Sequence, residues 1–285
     1  MKKFVKGVRF APKNYSDEVE AKIQHYKREG YKLPSRHLLR TEEQLAGIRE
    51  SARINTALLD YISENIREGM STAEIDHMVY CFTTDHDAIP APFLYEGFPK
   101  SVCVSINDVV CHGIPSTKEF LRSGDIVNVD VSTIYKGYFS DASRMYMIGG
   151  SQPRNATPGA GDQGVPRHRH TGCAALDTVG RCGRRHPGAC RRRTATAWWR
   201  DLCGHGVGIK FHEEPDVEHF GKRGTGMLIV PGMTFTIEPM INMGSYEVFI
   251  DEADGWTVCT DDGLPSAQWE SMILITEDGN EILTQ

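Results

Sequence analysis

Asp130 stands in "GDIVNVDVSTIYKGYFSDAS", inside an apolar run with the length and alternation of a buried strand, and Asp141 stands in the strand that follows. Glu238 interrupts a second run of this kind, "GMTFTIEPM". A buried carboxylate is costly unless something pairs with it. Two further groups lie within reach of the same chemistry: His205 in "GHGVGIKFHEEP" and Glu270 in "SAQWE". Taken singly, Asp141 reads as a turn acid, Glu270 as an edge-strand charge and His205 as a loop histidine. Asp130 and Glu238 resist such readings, because both break an apolar pattern. Four carboxylates brought together would repel and raise one another's pKa values. Cations relieve that repulsion. Four carboxylates and one imidazole are too negative for one divalent ion and suit a pair about 3.5–4 Å apart. Oxygen-rich ligation with one nitrogen fits manganese, iron, cobalt or zinc.

The elements that must position these groups begin with clear start signals. Thr41 with Gln44 and Ser71 with Glu74 form capping boxes. Leu45, Ile48, Ile54, Leu58, Ile62 and Ile66 recur at helical spacing, which predicts a helix from Glu42 to about Arg67. A second helix is expected to end near Thr84. Strands follow in "KSVCVSIN", "DIVNVDVSTI" and "YFSDASRMYMI", the last two joined as a hairpin around Tyr135–Gly137. Strand-rich text resumes with "MTFTIEPMIN", "WTVCTDD" and "SMILITEDGNEIL". Residues 1–40 read as an appendage, with a charged helix from Asp17 to about Arg28 and the character of a partly ordered tail.

The two strand regions echo each other. Gly124 precedes Asp130 by the interval that separates Gly232 from Glu238, and each strand follows a His-Gly pair, His112-Gly113 or His205-Gly206. A duplicated half-domain, each half bringing a buried acid, predicts a site on a pseudo-twofold axis between the halves.

"SVCVSINDVVCHGIP", "DIVNVDVSTIYKGYFSDAS", "CGHGVGIKFHEEP", "PGMTFTIEPM" and "SAQWE" together resemble the type I methionine aminopeptidases. The similarity runs from about Thr41 to Gly149 and from about Arg200 to Gln285. It implies the pita-bread fold, an α/β (α+β) architecture in which a pseudo-twofold repeat of helix pairs covers an antiparallel-rich curved sheet. By the same resemblance, Asp130, Asp141, His205, Glu238 and Glu270 hold two divalent ions of cobalt, manganese, iron or zinc. His112 and His212 fall on two non-ligand histidines that contact substrate and assist proton transfer, with Glu238 as the general base. Tyr95, Phe98, Cys103, Phe211 and Trp256 fall on or near the pocket for a methionine side chain, although plain core packing explains Cys103 equally well. The implied reaction removes the initiator methionine from nascent proteins whose second residue is small. Its partners would be peptide N-termini, with the ribosome as a further candidate, and the chain is expected to be a monomer. An X-Pro aminopeptidase of the same fold is the nearest alternative; a binding protein without catalysis should have lost a ligand, and none is missing.

The remaining text bounds these readings. The net charge of −6 gives no general reason to expect nucleic acid, so DNA is not an expected partner. No apolar run approaches a membrane span, and no signal-peptide core follows the start. Eight scattered cysteines without a CxxC pair read as reduced thiols in the cytoplasm. Residues 151–200 break the pattern: ten Arg against two Asp, no Lys and no Glu, with seven Gly and four Pro. An RNA-facing insert is one reading and a disordered linker another. Composition favours a third, a stretch translated out of frame within an otherwise continuous catalytic domain, 41–285. On that reading the second half lacks the helix pair that the resemblance implies, and the product is misfolded or inactive.

Overall fold

The computed structural model describes residues 15–150, 175–176, 178–179, 197–198, 202–222 and 224–285. The expectation for 151–200 therefore lies largely outside the described residues. In the first half, helices α1 (Asp17–Arg28), α2 (Glu42–Asn65) and α3 (Thr72–Asp85) precede strands β1 (Ile89–Pro90), β2 (Cys103–Ile106), β3 (Val109–Cys111), β4 (Ile126–Tyr135) and β5 (Tyr138–Met147). In the second half come β6 (Ala197–Trp198), β7 (Gly204–Gly206), β8 (Glu213–Val217), β9 (Thr234–Ile237) and β10 (Met240–Asn242). They are followed by β11 (Val248–Ile250), β12 (Val258–Thr260), β13 (Ser266–Gln268), β14 (Glu270–Thr276) and β15 (Gly279–Ile282).

Both capping boxes form, with the Thr41 and Ser71 hydroxyls accepting from the Gln44 and Glu74 amides and the return bonds in place. The β4–β5 hairpin turns on Lys136 and Gly137, whose φ of 50° and 84° suit a two-residue turn matched to strand twist. The main sheet runs β1-β4-β5-β14-β9-β7-β8, with β2 also on β4 and β15 also on β14, and all its pairings are antiparallel. The halves meet where β5 lies beside β14. That seam has two residue pairs, Glu270 with Ser143 and Ser271 with Ala142, before β15 takes over the same edge of β14.

Alternation along the strands divides the sheet into two faces. On one face Val127, Val129, Val131 and Ala142 pack with Leu58, Leu59 and Ile62 of α2 and Ile75 and Val79 of α3. The other face receives Asn128, Asp130 and Ser132 from β4, with Asp141 and Ser143 from β5. Two buried polar residues of α2 fix the register from behind. Ser51 donates to Thr133 O at 3.0 Å, and Asn55 Nδ2 donates to Val131 O at 2.6 Å.

The second half's apolar face holds Met227, Leu228, Ile229, Phe235, Ile237, Ile273 and Ile275. Among the described residues, Val19 and Ile23 of α1, with Leu38 and Val179, cover it. Residues 15–40 are thus packed against the fold and differ from the partly ordered tail that their charge suggests. Val19 and Ile23, four apart, form the single apolar stripe of α1. Beyond the helix, Leu228 donates to Lys32 O at 2.8 Å and Arg40 to Gly232 O at 2.9 Å, so the segment runs along residues 227–232.

Ile23→Ala should lower the stability of the full chain by about 2–4 kcal/mol, the cost of deleting a buried aliphatic group. Equilibrium denaturation in urea checks it. An unchanged midpoint would mean that α1 does not hold this face in solution.

Candidate metal centre and adjoining pocket

Seam and loops open onto one cavity of about 610 Å³. All twelve candidate residues line it: Tyr95, Phe98, Cys103, His112, Asp130, Asp141, His205, Phe211, His212, Glu238, Trp256 and Glu270. Their convergence follows from the pleat. Asp130 lies across from Cys103 on one side and Ser143 on the other, while Ser143 also faces Glu270 across the seam. Ligand atoms of Asp141, His205 and Glu270 lie within 4.8 Å of one another. The Nε2 of His205 lies 3.6 Å from Asp141 Oδ2 and 3.8 Å from Glu238 Oε1. Its Nδ1 lies 3.0 Å from Gly206 O, a pure acceptor, so the ring proton sits there and the Nε2 lone pair points at the carboxylates.

Two of the carboxylates, Asp141 and Glu238, are steadied by neighbours that sequence reasoning had not singled out. Ser132 donates to Asp141 at 2.7 Å, Thr236 to Glu238 at 2.7 Å, and Gln268 to the other Glu238 oxygen at 3.1 Å. Buried His219 accepts from the Glu238 amide through Nε2 at 2.8 Å. Thr236, on β9, sits two residues before Glu238, so alternation was its available signal; His219 lies beyond β8 and carried none. Gln268 stood in plain view in "SAQWE".

The His-Gly pairs have a steric origin. A Cβ on Gly113 would lie 2.2 Å from Val104 O, and one on Gly206 would lie 2.1 Å from Glu214 O. His112 adopts φ 57°, an uncommon backbone for a residue with a side chain. Beside the carboxylates stands an aromatic wall. Phe98 meets Trp256 edge-on at 5.3 Å and Tyr95 meets Phe211 edge-on at 4.9 Å. The Tyr95 hydroxyl lies 3.1 Å from His212 Nδ1. Pro92, Leu202 and Met240 extend this lining beyond the anticipated residues.

The pattern of metallopeptidase family M24 matches residues 46–277. The chain belongs to metallopeptidase family M24. Within it, the chain groups with the methionine aminopeptidases. It is 40% identical to the methionine aminopeptidase of Rickettsia prowazekii over 86% of this chain and 94% of that one. It is also 40% identical to that of Escherichia coli strain K12, over 86% and 93%. The crystal structure of the Rickettsia prowazekii enzyme superposes with a TM-score of 0.77 at 36% identity, covering 87% of this chain and 99% of that one. The Thermotoga maritima methionine aminopeptidase gives 0.78 at 30% identity, covering 87% and 98%. The fold is the pita-bread fold, as the motifs implied. A prolidase from Pyrococcus furiosus, at 20% identity and a TM-score of 0.63, shares the fold alone.

The electrostatics of this M24 site fit divalent cations. Burial pushes Asp130 up to about 7 and Glu238 up to about 8. Burial, followed by neighbouring carboxylates, holds Asp141 and Glu270 well above the ordinary range. Burial, together with His212, pulls His205 down to about 3, so its imidazole is neutral and free to ligate. One Asp130 oxygen, Oδ1, is buried without a hydrogen-bond partner. A lone pair on His205 facing carboxylate oxygens, beside an orphaned oxygen, is an arrangement that a cation satisfies and a proton satisfies only in part. The Cys103 thiol, pushed well up by burial, stays neutral and suits a pocket wall.

These shifts set a pH dependence for the metal-free protein. A carboxylate raised in the native state contributes stability present below its unfolded pKa near 4 and lost as pH rises through its folded value. A depressed histidine acts oppositely, but only below about 6.5. Between pH 6.5 and about 8, where Asp130 and Glu238 titrate, the carboxylates act alone. Chelator-treated protein should therefore lose about 1 kcal/mol or more per pH unit in that window. Calorimetry at stepped pH measures this, and a melting temperature that climbs from pH 6.5 to 8 would contradict it.

Proposed function

We propose that the chain hydrolyses the first peptide bond of new proteins, releasing the initiator methionine when the second residue is small, with this cavity as the active site. One observation carries the assignment of residues: four carboxylates and a neutral imidazole share a single cavity with an aromatic wall. Asp130, Asp141, His205, Glu238 and Glu270 would hold two divalent ions drawn from manganese, iron, cobalt and zinc. When bound, such ions acidify water, polarise a carbonyl and take a free amine as a ligand.

The protein's own groups do the rest. Glu238, oriented by Thr236 and Gln268, takes the proton of the attacking water and returns one to the leaving amine. His212, across from His205 at 4.1 Å between ring centroids, faces the scissile carbonyl and donates to the oxyanion as it develops. His112, beside Trp256, contacts the substrate main chain from the opposite wall. Tyr95, Phe98, Cys103, Phe211 and Trp256 enclose the polarizable methionine side chain. The substrates are peptide N-termini of nascent proteins, met in the cytoplasm beside the ribosome by a monomeric enzyme. Among the described residues, no helix is long and apolar enough to cross a membrane.

Two measurements test this reading. Glu270→Ala should lose bound metal and lower Met-Ala hydrolysis more than about 100-fold together; full turnover with undiminished metal would sink the ligand assignment. Met-Gly and Met-Ala peptides should be cleaved, while amino-terminally acetylated versions should resist, because acetylation removes the basic amine. Equal rates for the two forms, followed by appearance of the product that begins at the second residue, would refute the need for a free amine.

A further inference from the structure

Arg40 lies outside the stretch matched to the family, which begins at residue 46. It is nonetheless among the most deeply buried large side chains, 1% exposed. Its guanidinium is spread over four acceptors. Nε donates to Thr234 Oγ1 at 3.0 Å, Nη1 to His37 O at 3.2 Å, and Nη2 both to Val207 O at 3.3 Å and to the Glu213 carboxylate. The Glu213 side chain is 8% exposed, and the oxygen that meets Arg40 also accepts from the Ile209 amide at 3.3 Å. Val207 and Glu213 bracket the loop that carries Phe211 and His212. The guanidinium therefore pins both ends of that loop to β9 and to the segment before α2.

Nothing comparable holds His212 itself. Its residue is exposed, and its one side-chain hydrogen bond joins the Tyr95 hydroxyl. The rings of Tyr95, His205 and Phe211 flank it, and the base of the loop carries it toward the carboxylates. Gly208, with φ 138°, lets the loop pass close over this base, where a Cβ would lie 2.8 Å from Ile48 Cδ1 and 3.4 Å from Arg40 Nε. A planar fork can serve Glu213, Val207 and Thr234 at once, whereas an ammonium is a point donor without that geometry.

We infer that Arg40 is a positioning residue for the peptidase reaction: through Glu213 and Val207 it sets the loop that presents His212 to the substrate. The inference rests on the role given to His212 above. A double-mutant cycle separates the two. In the metal-loaded full-length chain, Arg40→Lys should lower kcat for a Met-Ala peptide about 10-fold while KM and bound metal per chain stay within twofold. In a His212→Ala background, the same change should lower kcat less than twofold further. Equal losses in both backgrounds, or no loss in the parent, would overturn the role of Arg40. If His212→Ala alone costs nothing, the role of His212 falls, and this proposal with it. Should Arg40→Lys fail to melt cooperatively, Arg40→Gln combined with Glu213→Gln removes both charges and enters the same cycle under the same criteria.

Discussion

Four carboxylates buried where two half-sheets meet are the constraint on which the rest of this structure depends. Left alone, such a cluster opposes folding, because desolvation and mutual repulsion both disfavour the ionised groups. The fold answers in part, with Ser132 donating to Asp141, with Thr236 and Gln268 donating to Glu238, and with an imidazole whose lone pair is turned inward. What those donors leave unsatisfied is charge. The centre of the molecule is therefore built around a ligand, and its stability and its chemistry share one origin.

The two-faced sheet is what makes such a cluster affordable in an otherwise apolar interior. Along β4 and β9, the residues that point to the site leave their chain neighbours pointing into a packed core, so polar and apolar needs are met by the same strands. Val129 and Val131 are buried against the helices, and Asp130 between them faces the cavity. The same economy operates in the second half, where Phe235 and Ile237 alternate with Thr236 and Glu238.

That alternation also decides what was legible in the sequence. Asp130 and Glu238 announced themselves by breaking an apolar rhythm, and the two capping boxes marked the starts of α2 and α3. Asp141, His205 and Glu270 were legible only jointly, through motif order and the resemblance it carries, since each alone passes for an ordinary surface residue. The supporting groups were less visible. Thr236 and Ser132 look like any strand residue until a partner acid is placed opposite. The packing of α1 could not be read at all, because two apolar residues on a charged helix say nothing about a sheet more than two hundred positions later. Arg40 was hidden for the same reason: a lone arginine in a polar stretch becomes a buried hub only when β9 and the loop after β7 close over it.

The seam between β5 and β14 carries a mechanical meaning. Only two residue pairs stitch the half-sheets there, yet Asp141 and Glu270 stand on opposite sides of it within reach of a common ion. An ion gripped by both closes the entire intervening chain into a loop, so it acts as a removable cross-link of long span. The two ligands converge only in the folded chain, so the free energy of binding such an ion adds to that of folding. Loading the centre thus fastens the two halves to each other, and the molecule's cohesion becomes a property it can gain or surrender with the ion.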